Sequence, residues 1–336
     1  MLLSELFIPE QVNNKILLCV LESIKYGGID VLINNLFAPV HEDLHLSNTD
    51  NETSSIMLDS LRYRILRDVM GGYSIKTSIT RYYKGLVMAD SLLKSETSTF
   101  IIENCKHYID RISKKLAEKL PPPNTKGETY SLRQCYYKLL QNCIKTDSVS
   151  GWLLYASYYY VTRQYDATLK LTDYILSKWS PDMILIGSEH NTNEGSYRHN
   201  VHSTMTLNEN MTLFTKDDIQ FVPNSSLIPE ELQLEVKDHI IQIQPVFMAH
   251  CLRLLCYHHL GDIPNRRHAL RDLYLTVNVG PFTSEGSLSS SLTIFGVCYE
   301  ISEYKDKAYQ CYIKSLQYIK CKCSTAEIRK SKLFDI

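Results

Sequence analysis

The strongest constraint on what this chain can fold into lies near its C-terminus. There Leu292-Thr-Ile-Phe-Gly296-Val-Cys-Tyr299 is followed, after a short polar stretch, by Ala308-Tyr-Gln-Cys-Tyr312. Both runs are apolar with the helical period, and each carries one small residue. Two helices joined by a short turn come close together only where a side chain is small. Gly296 lets the first helix approach the second, Ala308 is the matching small residue on the second, and the rings of Tyr299 and Tyr312 fill the space around them. Such a hairpin cannot bury its apolar face alone and stacks on neighbours of its own kind.

The chain has 336 residues, room for two ordinary domains or one elongated helical array. Hydrophobic residues make up 44% and charged residues 22%, the composition of a protein with a real core. Lys plus Arg is 36 against Asp plus Glu 37, a formal charge of −1, which argues against a dedicated binder of nucleic acid or of anionic membranes. No apolar run approaches the roughly 20 residues of a membrane span. Met1-Leu-Leu-Ser-Glu5 lacks the basic start of a signal peptide. Eight of the 10 Cys (Cys19, Cys105, Cys135, Cys143, Cys251, Cys256, Cys298 and Cys311) sit in apolar helical patterns, where Cys acts as a small hydrophobe. The thiols are therefore expected to be reduced and the compartment cytoplasmic. Without a leader, Asn51-Glu-Thr, Asn210-Met-Thr and Asn224-Ser-Ser read as chance glycosylation matches.

Apolar residues of helical period recur along the chain. Val12, Ile16, Leu17, Val20, Leu21 and Ile24 mark a first helix, closed by Gly27-Gly28. Met57, Leu61, Ile65 and Val69 mark a second; Ile75, Ile79, Tyr82, Leu86 and Leu93 a third. Ile101, Cys105, Ile109, Ile112 and Leu116 mark a fourth, ended by Pro121-Pro122-Pro123; Leu132, Cys135, Tyr136, Leu139 and Cys143 mark a fifth. Nothing alternates convincingly with period two, so almost no sheet is expected. The expected organisation is a helical region over 1–120 and a helical hairpin array over 130–325. The polar stretch 188–224, rich in His, Asn and Thr, reads as a long loop, partly laid on the surface and partly disordered.

The spacing of Gly296, Tyr299, Ala308 and Tyr312 resembles a tetratricopeptide repeat. Trp152, Ala156 and Tyr159 repeat the first-helix pattern, with Tyr155 where Leu is usual and Thr168 at the usual Ala. A middle hairpin starts at Pro245, with Tyr257 on its first helix, Gly261-Asp262 in the turn and Ala269 on its second helix. Its turn reads as longer than the repeat allows, so the units are expected to be irregular. The fold class is all-α, a helical bundle followed by an irregular tetratricopeptide-like hairpin array.

A second resemblance is broader. Phe7-Ile-Pro-Glu10, with a helix ending Tyr26-Gly, is similar to the end of the helical lobe of male-abnormal-twenty-one-like proteins, which share the fold of cyclic GMP–AMP synthase. Pro245-Val-Phe-Met-Ala-His250-Cys-Leu-Arg-Leu-Leu-Cys256-Tyr-His-His-Leu260, Leu227-Ile-Pro-Glu-Glu-Leu-Gln-Leu234 and Ser291-Leu-Thr-Ile-Phe-Gly296 resemble the helical extension of large molluscan members. The resemblance covers most of 7–320 through hydrophobic, structural motifs. The catalytic lobe needs a Gly-Ser pair on a helix beside a strand with two magnesium-binding carboxylates. The Gly-Ser pairs here, Gly187-Ser188, Gly195-Ser196 and Gly286-Ser287, each read as polar loop sequence. The resemblance thus implies that a nucleotidyltransferase core would precede Met1, making this chain a C-terminal part that could regulate such a receptor in innate immune signalling.

Other constellations have simpler readings. His250, Cys251, Cys256, His258 and His259 share a helix, but Cys256 belongs to an apolar core pattern. Cys321-Lys-Cys323 sits in a basic tail with Lys320, Lys322, Arg329 and Lys330, which reads as a frayed, solvated C-terminus, and His190, His199 and His202 lie in the polar loop. Tyr155, Tyr158, Tyr159 and Tyr160 could stack bases, yet Tyr155 and Tyr159 fall on hairpin core positions and no basic groove accompanies them. The adjacent acids Asp217-Asp218 and Glu230-Glu231 read as helix-start charges. Phosphate loop, dinucleotide fingerprint, zinc-protease motif and nucleophile elbow are all missing. The reading is a non-catalytic scaffold without cofactor or metal, whose partner is a protein or peptide, with neither nucleic acid nor membrane.

Overall fold

A computed structural model describes residues 79–95, 97–123, 130–145, 149–180, 183, 218–279, 285–318 and 324–333. The chain divides into two compact units, one of Met1–Gly72 with Val87–Tyr108, the other of Tyr73–Leu86 with Ile109–Ile336. The division runs through the first two described helices, α1 (Ile79–Ser95) and α2 (Thr99–Lys119), so of the first unit only their adjoining halves are described. Most of the helical region expected over 1–120 lies outside the described residues, as do the first two predicted helices. The chain is all-α: the described residues form ten α-helices, one 3-10 helix and a two-stranded ribbon.

In the second unit, α2 stops at Lys119, just before the three prolines, which cannot donate into a helix. Ile112, Leu116 and Ala117 on its last turns are fully buried. Next comes α3 (Tyr130–Cys143), which buries Tyr136, Leu139, Leu140 and Cys143, a 3-4 spacing along one face. Tyr136 also donates its hydroxyl to the Pro121 carbonyl at 2.7 Å, tying the proline run to α3. Three hairpins follow: α4 (Ser150–Val161) with α5 (Tyr165–Lys178), α6 (Pro245–His259) with α7 (Ile263–Val279), and α8 (Glu285–Ile301) with α9 (Lys305–Gln317). Each new hairpin packs its first helix on both helices of the one before: α6 touches α4 and α5, and α8 touches α6 and α7. A last helix, α10 (Ser324–Lys332), lies on α9 with Ala326 fully buried, where the sequence reading expected a frayed tail.

The three turns are the same structure. Arg163, Gly261 and Glu303 stand at φ of 60°, 70° and 68°. The residue after each donates its N–H to the carbonyl five positions back, Gln164 to Tyr159 at 2.8 Å, Asp262 to Tyr257 at 2.9 Å and Tyr304 to Tyr299 at 2.9 Å. The left-handed residues themselves donate to Tyr160, His258 and Glu300. This is the Schellman closure, which satisfies carbonyls left open at a helix end. The middle turn is therefore no longer than the others, contrary to the sequence reading. The irregularity lies instead in the 66 residues (179–244) between the first and second hairpins, of which 179–180, 183 and 218–244 are described.

Part of that connection is core. Ile219–Phe221 (β1) pairs antiparallel with Ile241–Ile243 (β2), in the register Ile219 to Ile243 and Phe221 to Ile241. All four apolar residues are buried and the intervening Gln220 and Gln242 are not, the period-two pattern of a one-sided ribbon. The sequence reading placed 219–221 in a polar loop; three residues were too few to register as alternation. Between the strands, the 3-10 helix Glu230–Val236 buries Leu232 and Val236. The ribbon and the 3-10 helix pack on first helices of the hairpins, β1 on α4 and β2 and the 3-10 helix on α8. The rest of the predicted loop, 188–217, lies outside the described residues.

Candidate functional site

Counting from the left-handed turn residue aligns the three second helices. Five positions on stand Thr168, Arg266 and Ala308; nine on stand Thr172, Leu270 and Tyr312; twelve on stand Ile175, Leu273 and Ser315. All of these are buried except Arg266. Ala269 is buried too, but in this register Arg266 holds the place of Ala308. Gly261 is the left-handed turn residue, its conformation free of the Cβ penalty that Arg163 and Glu303 carry. Tyr159, Tyr257 and Tyr299 stand four residues before the turn residues and supply the carbonyls that close them.

Gly296 admits a ring, not a backbone. A Cβ there would stand 2.4 Å from Cε1 of Tyr312. Tyr312 is fully buried and donates its hydroxyl to Glu300. Ala308 is fully buried nearby in sequence, but the Gly296 gap belongs to Tyr312. In the first hairpin Ala156 is buried, and Thr168 bridges to it by donating its hydroxyl to the Ala156 carbonyl at 3.3 Å. Trp152 is half-buried against Tyr174, ring centres 4.8 Å apart. Tyr155 and Tyr159 are half-buried and stack at 5.0 Å, whereas Tyr158 and Tyr160 are the buried pair. The tyrosines expected in the core and those expected outside have changed places, because α4 is buried on more than one side and its pattern carries no single face.

The His and Cys residues of α6 go to different neighbours. His259 stacks on Tyr165 at 5.0 Å and reaches Glu231 at 2.8 Å, and Tyr160 donates to the same carboxylate at 2.7 Å. His258 meets Arg266. Cys251 lies 3.7 Å from Cys298 in the core, and that contact, with burial, pushes its thiol well up. No group of three His, Cys, Asp or Glu able to hold a metal occurs among the described residues. Cys321, Cys323, His190, His199 and His202 lie outside them. Glu230-Glu231 does open a helix, the 3-10 turn, but the Glu231 carboxylate is engaged by Tyr160 and His259. Further along the 3-10 helix, the buried carboxylate of Glu235 is held by Arg329 at 2.6 Å and by the Thr325 hydroxyl, and Arg329 also donates to the Glu231 carbonyl at 2.9 Å. These contacts fasten α10 to the hairpins and leave the polar network occupied by the chain itself.

What stays open is a groove of about 910 Å³ between α7, α8 and α9. Its floor is α8, with Leu288, Leu292, Phe295 and Tyr299. One rim is α7, with Arg267, Arg271, Tyr274 and Asn278; the other is α9, with Lys307, Gln310, Lys314 and Gln317. The helical period explains the rims: 267, 271, 274 and 278 on one side and 307, 310, 314 and 317 on the other step by three and four, so each set lies on one face. The second helices need apolar residues only toward their own first helix, which frees these rim positions for cations and amides. Lys307 is held over two rings, 5.6 Å from the centre of Tyr299 and 5.3 Å from that of Tyr304. Burial raises the Tyr299 phenol and the Cys311 thiol each to about 12, so neither is a nucleophile at neutral pH. The four cations face no carboxylate among the described residues that line the groove. A smaller cleft of about 220 Å³ at the turn end shares Arg267 and Tyr304 and adds Arg266 and Glu303. The sequence reading missed this groove because its cations come from two helices about 40 residues apart in the chain.

No match to this chain is found among protein families, curated proteins or solved structures. No helix among the described residues is long and apolar enough to cross a membrane.

Proposed function

We propose that this chain is a non-catalytic protein-interaction scaffold built of tetratricopeptide-like helical hairpins, and that it receives its partner in the groove between α7, α8 and α9. The observation that carries this reading is the division of the hairpin surfaces. The ribbon and 3-10 helix of the chain itself cover part of first helices α4 and α8, whereas the apolar face of α8 between second helices α7 and α9 is open and rimmed by cations and amides. An apolar cleft edged with orienting polar groups is what a peptide segment needs: burial for affinity, polar contacts for register. The thrice-repeated turn supports the repeat assignment, since equal turns stack equal units. Arrays of this kind bind through grooves between units and carry no chemistry there.

The test is a random-peptide display panned on the intact chain. Enriched peptides should compete with one another and lose binding to Gln310→Trp, which fills the groove from an exposed position without touching the core. Failure to enrich any peptide, or binding indifferent to Gln310→Trp, would remove the reading. The same preparation, given ATP, GTP, magnesium or manganese and double-stranded nucleic acid, is expected to make no cyclic dinucleotide.

A further inference from the structure

We infer that the occupant of this groove is an extended, acidic peptide segment of a partner protein, with apolar anchors between its carboxylates. The inference rests on the scaffold reading above and adds the chemistry of the ligand. The charge is one-signed. Arg267 and Arg271 on α7 and Lys307 and Lys314 on α9 meet no carboxylate from the described lining, although the whole chain carries 36 cations against 37 acids. In a chain so balanced, four cations gathered around one apolar floor are a local arrangement with a local use. An acidic ligand would neutralise them and be drawn in by their field.

The floor decides between acidic ligands. Leucines and a phenylalanine offer side-chain-sized apolar contact, which suits Leu, Ile or Phe anchors. A nucleic-acid strand would stack its bases on the rings, but Leu270, Val277, Leu288 and Leu292 offer aliphatic contact that suits Leu or Ile anchors better than bases. The dimensions favour an extended strand. From Lys307 to Gln317 the α9 rim runs about 15 Å at 1.5 Å per residue. A strand rising about 3.3 Å per residue crosses it with roughly five residues. Its side chains alternate, so anchors can face α8 while carboxylates reach the rims. The amides of Gln310 and Gln317 stand where the peptide backbone passes. Lys307, already seated over Tyr299 and Tyr304, is a pre-placed cation at one end.

The experiment titrates the intact chain into fluorescein-labelled peptides and reads anisotropy. One peptide alternates Glu and Leu between Gly-Ser flanks; a second has Lys for every Glu; a single-stranded oligothymidylate of similar length is the third probe. The Glu–Leu peptide should bind, the Lys–Leu peptide should not, and binding should weaken markedly at roughly 0.3 M salt, where charges are screened within a few ångström. The double charge reversal Arg271→Glu with Lys314→Glu, at exposed positions, should weaken the Glu–Leu peptide at least about tenfold. It should also create binding to the Lys–Leu peptide. Lys170→Glu on α5, exposed and far along the chain, should change neither. Equal binding of both peptides to the unaltered chain would overturn the acidic occupant and leave the scaffold reading standing. Tighter binding of the oligothymidylate, lost in the charge-reversed chain, would make the groove a nucleic-acid site and overturn the inference. Binding of none of the three would sink both readings together.

Discussion

At the scale of single residues, the three turns isolate the energetics of the left-handed backbone. Gly261 has nothing within 4 Å of where a Cβ would stand, so Gly261→Ala meets only the conformational penalty of φ +70°. That penalty is about 1 kcal/mol. Glu303 already bears it at φ 68° and is exposed, so Glu303→Gly should stabilise by a few tenths to about 1 kcal/mol. Chemical denaturation of both variants checks the pair; equal signs would mean the turns are not equivalent. Glu118 gives a second prediction. Its buried carboxylate accepts the Val222 N–H at 2.6 Å, and desolvation raises it from 4.5 to about 7 against the pull of nearby Lys115. Between those values the folded state keeps a proton that the unfolded state has lost. The Glu118 contribution is therefore complete below pH 4.5 or so and declines as pH rises through about 7. Glu118→Gln should flatten that part of the stability profile; an unchanged slope in thermal melts between those pH values would assign it elsewhere.

At the scale of elements, α10 depends on one cation. Arg329 joins Glu235, the Glu231 carbonyl and, at 3.8 Å, Glu300, so three parts of the second unit meet at one guanidinium. Glu235 is buried, and Arg329→Ala would leave its carboxylate facing the Thr325 hydroxyl without its cation. Loss of one partner of a buried pair costs about 3 kcal/mol or more. Lys330 on the same helix pairs with exposed Glu327, so Lys330→Ala should leave the urea midpoint almost unchanged. Urea midpoints separate the two variants. A similar small loss for both would mean α10 is fastened by its apolar contacts, Ala326 and Leu333, instead.

At the scale of the second unit as a whole, α6 is the centre. It meets α4, α5, α7 and α8, and ten of its 15 residues are buried, from Pro245 to Cys256. A helix apolar nearly all round is a core helix. Its amides should open only with global unfolding, so hydrogen exchange should be slowest between Met248 and Leu255. The amides of α3 and α10, at the two ends of the packing order, should exchange earlier. Slower exchange in α10 than in α6 would place the core elsewhere. The groove belongs to this scale too, since it exists only where the second helices of consecutive hairpins flank a shared first helix.

The sequence by itself determined the helices and their breaks. Apolar residues at three-four spacing and the proline run are local signals, and α1 to α3 and all three hairpins follow them. It also marked Gly261 as a turn and Gly296, Tyr299, Ala308 and Tyr312 as one hairpin, because short loops make neighbours in sequence neighbours in space. Tertiary structure decided what no local pattern carries. That Gly296 receives the Tyr312 ring, that Tyr158 and Tyr160 are the buried tyrosines of α4, and that Ile219-Gln-Phe221 is core depend on distant partners. Surrounded helices lose their one-sided pattern, and a three-residue strand has too few residues to show one. The candidate groove is the clearest case: no local pattern joins Arg271 to Lys314, and only packing against α8 brings them to one cleft.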